Sequence, residues 1–175
     1  MLTERRADFP ILTRKIGDQP LVYLDSANTS QKPTAVLQAL EEHYRSHNAN
    51  VARAMHRLGA EATEAYTAAR RRIAQFIGAA SEEIVFTKNA SEALNLAAYT
   101  LATRLGPGDE VVISVSEHHS NIVPWQLACE RTRARLRWFD VDDEGHFDLD
   151  KARAESLINE RTKVVAVTAM SNVTG

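Results

Sequence analysis

Ser116, Glu117, His118, His119, Ser120 and Asn121 stand side by side in this sequence, directly after the apolar run Val111-Val-Ile-Ser-Val. An imidazole in such a place can ligate a metal, act as a general base, offer a flat face to a planar cofactor, or sit in a loop without chemical duty. A second group with chemical potential is Asn89, Ala90 and Ser91, which follow the run Ile84-Val-Phe-Thr. Small residues at a strand-to-helix junction leave backbone N–H groups uncovered, and with the helix dipole these attract an anion such as phosphate. The same residues also read as an ordinary N-cap with Glu92 in the first turn. No Gly-x4-Gly-Lys pattern is present, so the junction is no mononucleotide P-loop. A third group, Ser171 and Asn172, follows Lys163-Val-Val-Ala-Val-Thr. Anion donors, a flat imidazole and a polar amide together suit a phosphorylated aromatic cofactor better than a metal, because acidic or thiolate ligand sets are missing.

These groups need elements to bring them together. Val111–Ser114, bounded by Gly106-Pro-Gly-Asp, reads as a strand buried on both faces. Ser120 and Asn121 read as N-caps of a helix carrying Ile122, Val123, Trp125 and Leu127. Strands are also expected at 21–24, 84–87, 135–141 and 163–168. A helix with Val36, Leu37, Leu40 and Tyr44 should follow Pro33 at its first position. Another should run from Ala60 to Ile77, with Ala62, Ala65, Tyr66, Ala69, Ile73, Phe76 and Ile77 as its apolar face and Gly78 as its stop. A charged helix is expected over 149–159, after a turn at Asp142-Asp-Glu-Gly. From residue 60 onward strands alternate with helices, so the expected class is α/β, a mostly parallel sheet with flanking helices and right-handed crossovers. Strand ends in such a sheet share one edge, where ligands bind. At this length the chain is expected to form one substantial domain, with nothing that forces two. Residues 45–60 lack a clean period and are cationic, with Arg53 among arginines and histidines that could meet an anion or form a solvated loop.

Composition narrows the classes. The chain has 175 residues, a net charge of -2 and 44% hydrophobic residues, ordinary for a globular protein and unsuited to a nucleic-acid or membrane surface. The first residues lack the apolar stretch of a signal peptide, and no apolar run is long enough to span a bilayer. A cytoplasmic location is expected. Cys129 is the single cysteine, which excludes an internal disulfide and a multi-cysteine metal site; its surroundings read as the apolar stripe of a helix.

Leu24-Asp-Ser-Ala, Gln31-Lys-Pro, Asn50-Val-x-Arg-x-x-His56, Ser116-Glu-His-His-Ser-Asn-Ile-Val-Pro-Trp-Gln126 and Ser171-Asn-Val-x-Gly175 resemble the N-terminal portion of group II (SufS-like) cysteine desulfurases. These are fold type I pyridoxal-phosphate enzymes of the class V aminotransferase group. The resemblance implies pyridoxal 5'-phosphate as cofactor, L-cysteine as substrate, a homodimer, and a sulfur-acceptor protein of the SufE or SufU type feeding iron-sulfur cluster assembly. It implies that His118 stacks on the pyridine ring and moves protons, that Ala90 and Ser91 meet the phosphate, and that Asn172 and Arg53 meet the substrate, Asn172 also lying beside the ring hydroxyl. No metal is implied. Ala52 and Ala90 depart from the histidine and threonine frequent at those places. None of Lys15, Lys32, Lys88, Lys151 or Lys163 matches the family's cofactor-anchoring lysine, and Cys129 does not match its nucleophilic cysteine, so both are expected beyond the last residue of this chain. The same resemblance admits a selenocysteine lyase or an epimerase of the group, and the chain's length admits a non-catalytic interaction module.

Overall fold

A computed structural model describes residues 5–53 and 55–175. The chain divides into two compact units between Val85 and Phe86.

The first unit opens with short 3-10 turns at Arg6–Asp8 and Pro10–Thr13. Strand β1 (Lys15–Ile16) returns antiparallel as β2 (Gln19–Pro20) through Gly17, whose φ of 60° is the left-handed conformation glycine adopts freely. The Arg6 guanidinium donates to the Leu12 and Leu21 carbonyls at 2.9 and 2.7 Å, which pins the arm. The strand expected at 21–24 does not form; no neighbouring strand pairs with it among the described residues, and Leu24 is exposed. Helix α1 is Thr34–Glu42, with Pro33 as its cap rather than its first residue, and it runs into a wide turn at His43–His47. Helix α2, Arg57–Ile77, begins where the His56 ring accepts from the Gly59 N–H. It ends at Gly78 with φ 72°, as the sequence suggests. The apolar face expected for α2 stays largely open within this unit: Ala62, Ala74 and Gly59 are buried, whereas Tyr66, Ile73, Phe76 and Ile77 are exposed. Periodicity marks which side of a helix is apolar; a second layer must be present for that side to be buried.

The expected strand at 84–87 is extended at Ile84 yet joins no ladder among the described residues.

The second unit contains helix α3 (Ala90–Ala102), strand β3 (Glu110–Ser114), a 3-10 turn (His119–Asn121), helix α4 (Val123–Thr132), strand β4 (Arg135–Phe139), helix α5 (Leu149–Ala154) and strand β5 (Thr162–Ala166). The strands form a parallel three-stranded sheet in the order β4-β3-β5. Every residue of the central strand β3 is buried, the outcome expected of an uninterrupted β-branched run. Alternation explains how one strand serves two layers: Val111 and Ile113 pack with Ala98 of α3 and with Trp125, Ala128 and Cys129 of α4, while Val112 meets Phe139 and Leu157 on the other face. Each of the three apolar side chains stabilises the fold by about 1.5–3 kcal/mol through burial.

Helix α5 stops well short of the expected residue 159. Ser156 takes a left-handed φ of 47°, which breaks the helix and turns Leu157 into the core.

Candidate functional site

The carboxyl end of β3 is held by its own loop. Glu117 points back across the sheet edge: Oε1 accepts from the Ser114 hydroxyl at 2.7 Å and the Thr168 N–H at 2.6 Å, and Oε2 accepts from the Asn121 amide at 2.8 Å. Thr168 lies just past β5, so one carboxylate joins the ends of two adjacent strands. Asn121 was expected as a helix cap. It is instead buried, its nitrogen donating to Glu117 and to the Ala166 carbonyl at 3.1 Å, its oxygen accepting from the Trp125 indole at 3.0 Å. His118 caps the 3-10 turn and Ile122 stands at the cap of α4, in place of Ser120 or Asn121. A side chain with both a donor and an acceptor to satisfy is drawn inward by a buried indole that can only donate.

His118 is left presenting its ring outward from this braced loop. Its Nδ1 accepts from the Ser120 N–H at 3.1 Å and lies 2.8 Å from the Ser120 hydroxyl. A backbone amide cannot reverse its polarity, so the neutral ring carries its proton on Nε2, directed away from the loop. The His119 ring stands edge-on to it, centroids 6.0 Å apart.

At the start of α3, the Asn89 side chain accepts from the Glu92 N–H at 3.0 Å, and Glu92 reaches back to the Lys88 N–H at 2.6 Å. The two readings of this junction are therefore compatible. The cap occupies the amide of Glu92, while the N–H groups of Ala90 and Ser91 and the Ser91 hydroxyl have no acceptor among the described residues. Helix α3 packs against the turn His119–Asn121, so these free donors and the braced histidine loop belong to neighbouring elements. The segment after β5 folds on Ser171, whose hydroxyl accepts from the Val173 and Thr174 N–H groups at 3.1 and 3.3 Å. Asn172 is exposed, with its amide free of any partner among the described residues.

Arg53 lies in the first unit, where it and Ala52 take left-handed φ values of 54° and 63°. Ala90, Ser91, His118 and Asn172 lie in the second. Cys129 is buried in the sheet-facing side of α4, and burial pushes its thiol above the ordinary range; it packs and is no thiolate. Among the described residues no cluster of His, Cys, Asp and Glu is placed to hold a metal ion, and no helix is long and apolar enough to cross a membrane.

Sequence reasoning did not find the Glu117–Asn121–Trp125 relay, although the signal was there. Three polar-capable residues spaced four apart lie on one side of a helical turn, where each can reach the next.

Comparison with known proteins places this arrangement. Residues 22–175 match the family described as Aminotransferase class-V. A protein of Streptomyces coelicolor named "Probable cysteine desulfurase" is 51% identical over 177 residues, covering 97% of this chain and 42% of that protein. A cysteine desulfurase of Cronobacter sakazakii is 48% identical over 176 residues, covering 99% of this chain and 43% of that one. Among solved structures, the apo cysteine desulfurase of Thermococcus onnurineus superposes with a TM-score of 0.88 at 39% identity, over 99% of this chain and 41% of that one. A cysteine desulfurase from Escherichia coli superposes with a TM-score of 0.80 at 36% identity, over 99% and 42%. The chain thus spans about two-fifths of the length of the curated relatives it matches.

Proposed function

The chain belongs to the aminotransferase class-V family, and we propose that the protein carrying it is a cysteine desulfurase that binds pyridoxal 5'-phosphate at the carboxyl edge of its parallel sheet. It takes sulfur from L-cysteine and leaves L-alanine. The observation that supports this most is the pairing of uncommitted donors at the start of α3 with an outward-facing imidazole braced on the neighbouring strand end.

The residues at this edge fit the group. The Ala90 and Ser91 amides and the Ser91 hydroxyl are the donors for its phosphate, reinforced by the positive end of a 13-residue helix. The His118 ring is the flat surface for the pyridine, and the Asn172 amide the contact for a polar ring substituent. Pyridoxal phosphate, when bound, withdraws electrons from a substrate amino acid. With Nδ1 committed to Ser120, His118 meets the substrate through Nε2–H, as a donor of that proton. Arg53 is assigned to the substrate. The thiol that receives sulfur is not Cys129, whose burial keeps it protonated.

The reading includes a homodimer in the cytoplasm and transfer of sulfur to an acceptor of the SufE or SufU type for iron-sulfur cluster assembly. It also takes residues 1–60 as an N-terminal arm and 61–175 as the first part of the cofactor-binding domain. The test is to incubate the purified full-length protein with L-cysteine and excess dithiothreitol, which reduces the enzyme persulfide to thiol and sulfide, and quantify alanine and sulfide. Equimolar release is expected; a cofactor-loaded protein that releases no alanine removes the desulfurase reading.

A further inference from the structure

We infer that Glu117 is a positioning residue, an acceptor-only clamp that fixes the His118 ring and the Thr168–Asn172 segment relative to each other; the functional consequence rests on the cofactor reading above, while the clamp itself does not. Trp125 is 2% exposed, and its indole nitrogen can only donate. It therefore sets the orientation of the Asn121 amide, with oxygen toward Trp125 and nitrogen toward Glu117 and the Ala166 carbonyl. Glu117 Oε2 thus faces a donor that cannot be flipped. Glu117 Oε1 faces the Thr168 backbone N–H, which cannot be flipped either, and the Ser114 hydroxyl.

Donors on both oxygens leave only one side chain of this length suited to the place, an ionised carboxylate. A glutamine has one acceptor and one donor end, so either Thr168 or Asn121 would meet an N–H pointing at its own. His118 is the next residue in the chain, and the other side-chain tie between its loop and the end of β5 among the described residues is the Asn121 amide on the Ala166 carbonyl, an amide that Glu117 itself holds. The role of Glu117 is thus exerted through its neighbours rather than by touching a ligand.

In the full-length protein, Glu117→Gln keeps size and shape and Glu117→Asp keeps charge but is one methylene too short to span both partners. Without cofactor, hydrogen exchange by mass spectrometry should show faster exchange in peptides spanning residues 166–174 and 117–122 for both variants. With pyridoxal phosphate added, both should bind about tenfold more weakly than the parent, the loss of one charge-assisted hydrogen bond. Because Glu117 acts through its neighbours, the losses in the double variant E117Q/H118A should be less than additive, part of the effect of Glu117→Gln vanishing once His118 is gone. Unchanged exchange, parental affinity in either variant, or a full additive loss in the double variant each overturns the assignment. A parent protein that binds no pyridoxal phosphate would instead defeat the proposed function, and the exchange measurement would still decide the clamp.

Discussion

The two ends of β3 solve one problem in opposite ways. Each end has a glutamate that ties strands together, Glu110 at the amino edge and Glu117 just past the carboxyl edge. Glu110 is buried and takes Asn159 and two guanidinium groups: Asn159 and Arg137 meet Oε2 at 2.9 and 3.1 Å, and Arg161 meets Oε1 at 3.1 Å. Arg137 also donates to the carbonyls of Glu155, Ser156 and Leu157. The amino edge is therefore a closed ionic knot. Around Glu117 the donors are all neutral, a hydroxyl, a side-chain amide and a backbone N–H, and the residues beyond them keep free polar groups. Ion pairing uses up the polar capacity of the first edge; the second braces its loops with neutral hydrogen bonds and leaves Ser91, His118 and Asn172 available to a ligand. An ion-paired edge and an edge braced by neutral hydrogen bonds thus sit one strand length apart.

The largest expected effect comes from breaking the brace. Asn121→Leu is close in size but strips partners from Glu117, Trp125 and the Ala166 carbonyl at a buried position. Urea unfolding should show a loss of about 3–5 kcal/mol. A loss under about 1 kcal/mol would mean that water replaces the amide and that the carboxyl edge is not a brace.

At the amino edge, Glu110→Gln should cost less, about 1–3 kcal/mol, because Arg137 and Arg161 are partly exposed and can turn to water. This edge should also respond to pH. The hydrogen bond from Asn159, helped by Arg137 and Arg161 and opposed by desolvation, holds the Glu110 carboxyl below its ordinary range. A carboxylate with a depressed folded-state pKa stabilises fully above the unfolded value of about 4.3 and loses that contribution as pH falls through the folded value. Unfolding midpoints measured from pH 7 down to 3 should therefore fall below about pH 4, and fall less steeply in Glu110→Gln. Identical acid limbs in the two proteins would show that the knot does not titrate. Other carboxyls held low, such as Asp142 beside His146, keep the limb from vanishing.

The smallest effect sharpens the contrast. His118→Ala should change stability by no more than about 1 kcal/mol, since the ring is exposed and serves the fold only as the cap on the Ser120 N–H. Its effect should be confined to cofactor binding, where a lost stack weakens affinity by about 0.5–1.5 kcal/mol and displaces the cofactor absorbance. A large stability loss would make His118 part of the brace and erase the distinction between the two kinds of residue at this edge.

Much of this was legible in order along the chain. An unbroken β-branched run, Val111-Val-Ile, announces a strand covered on both faces, and Gly78 after an apolar 3.6 period announces the end of α2; both depend on local backbone chemistry that a linear sequence carries whole. Small residues at 89–91 and the imidazole after β3 were legible as candidate groups, and the parallel order followed from alternating elements. What the sequence could not carry was whatever needs a partner from elsewhere. The segments 21–24 and 84–87 have strand composition but join no sheet among the described residues, because a strand is defined by its ladder and not by its residues. Phe76 and Ile77 lie on an apolar stripe that no layer of the first unit covers. Asn121 looks like a cap from its neighbours and is a buried relay, since its bonding partners Ala166 and Glu117 meet it only after β5 has docked beside β3. Residue type and spacing determined which groups could do chemistry; the crossing of distant segments decided which of them are spent holding the sheet and which stay free, because a hydrogen-bonding group is reactive only when folding leaves it without a partner.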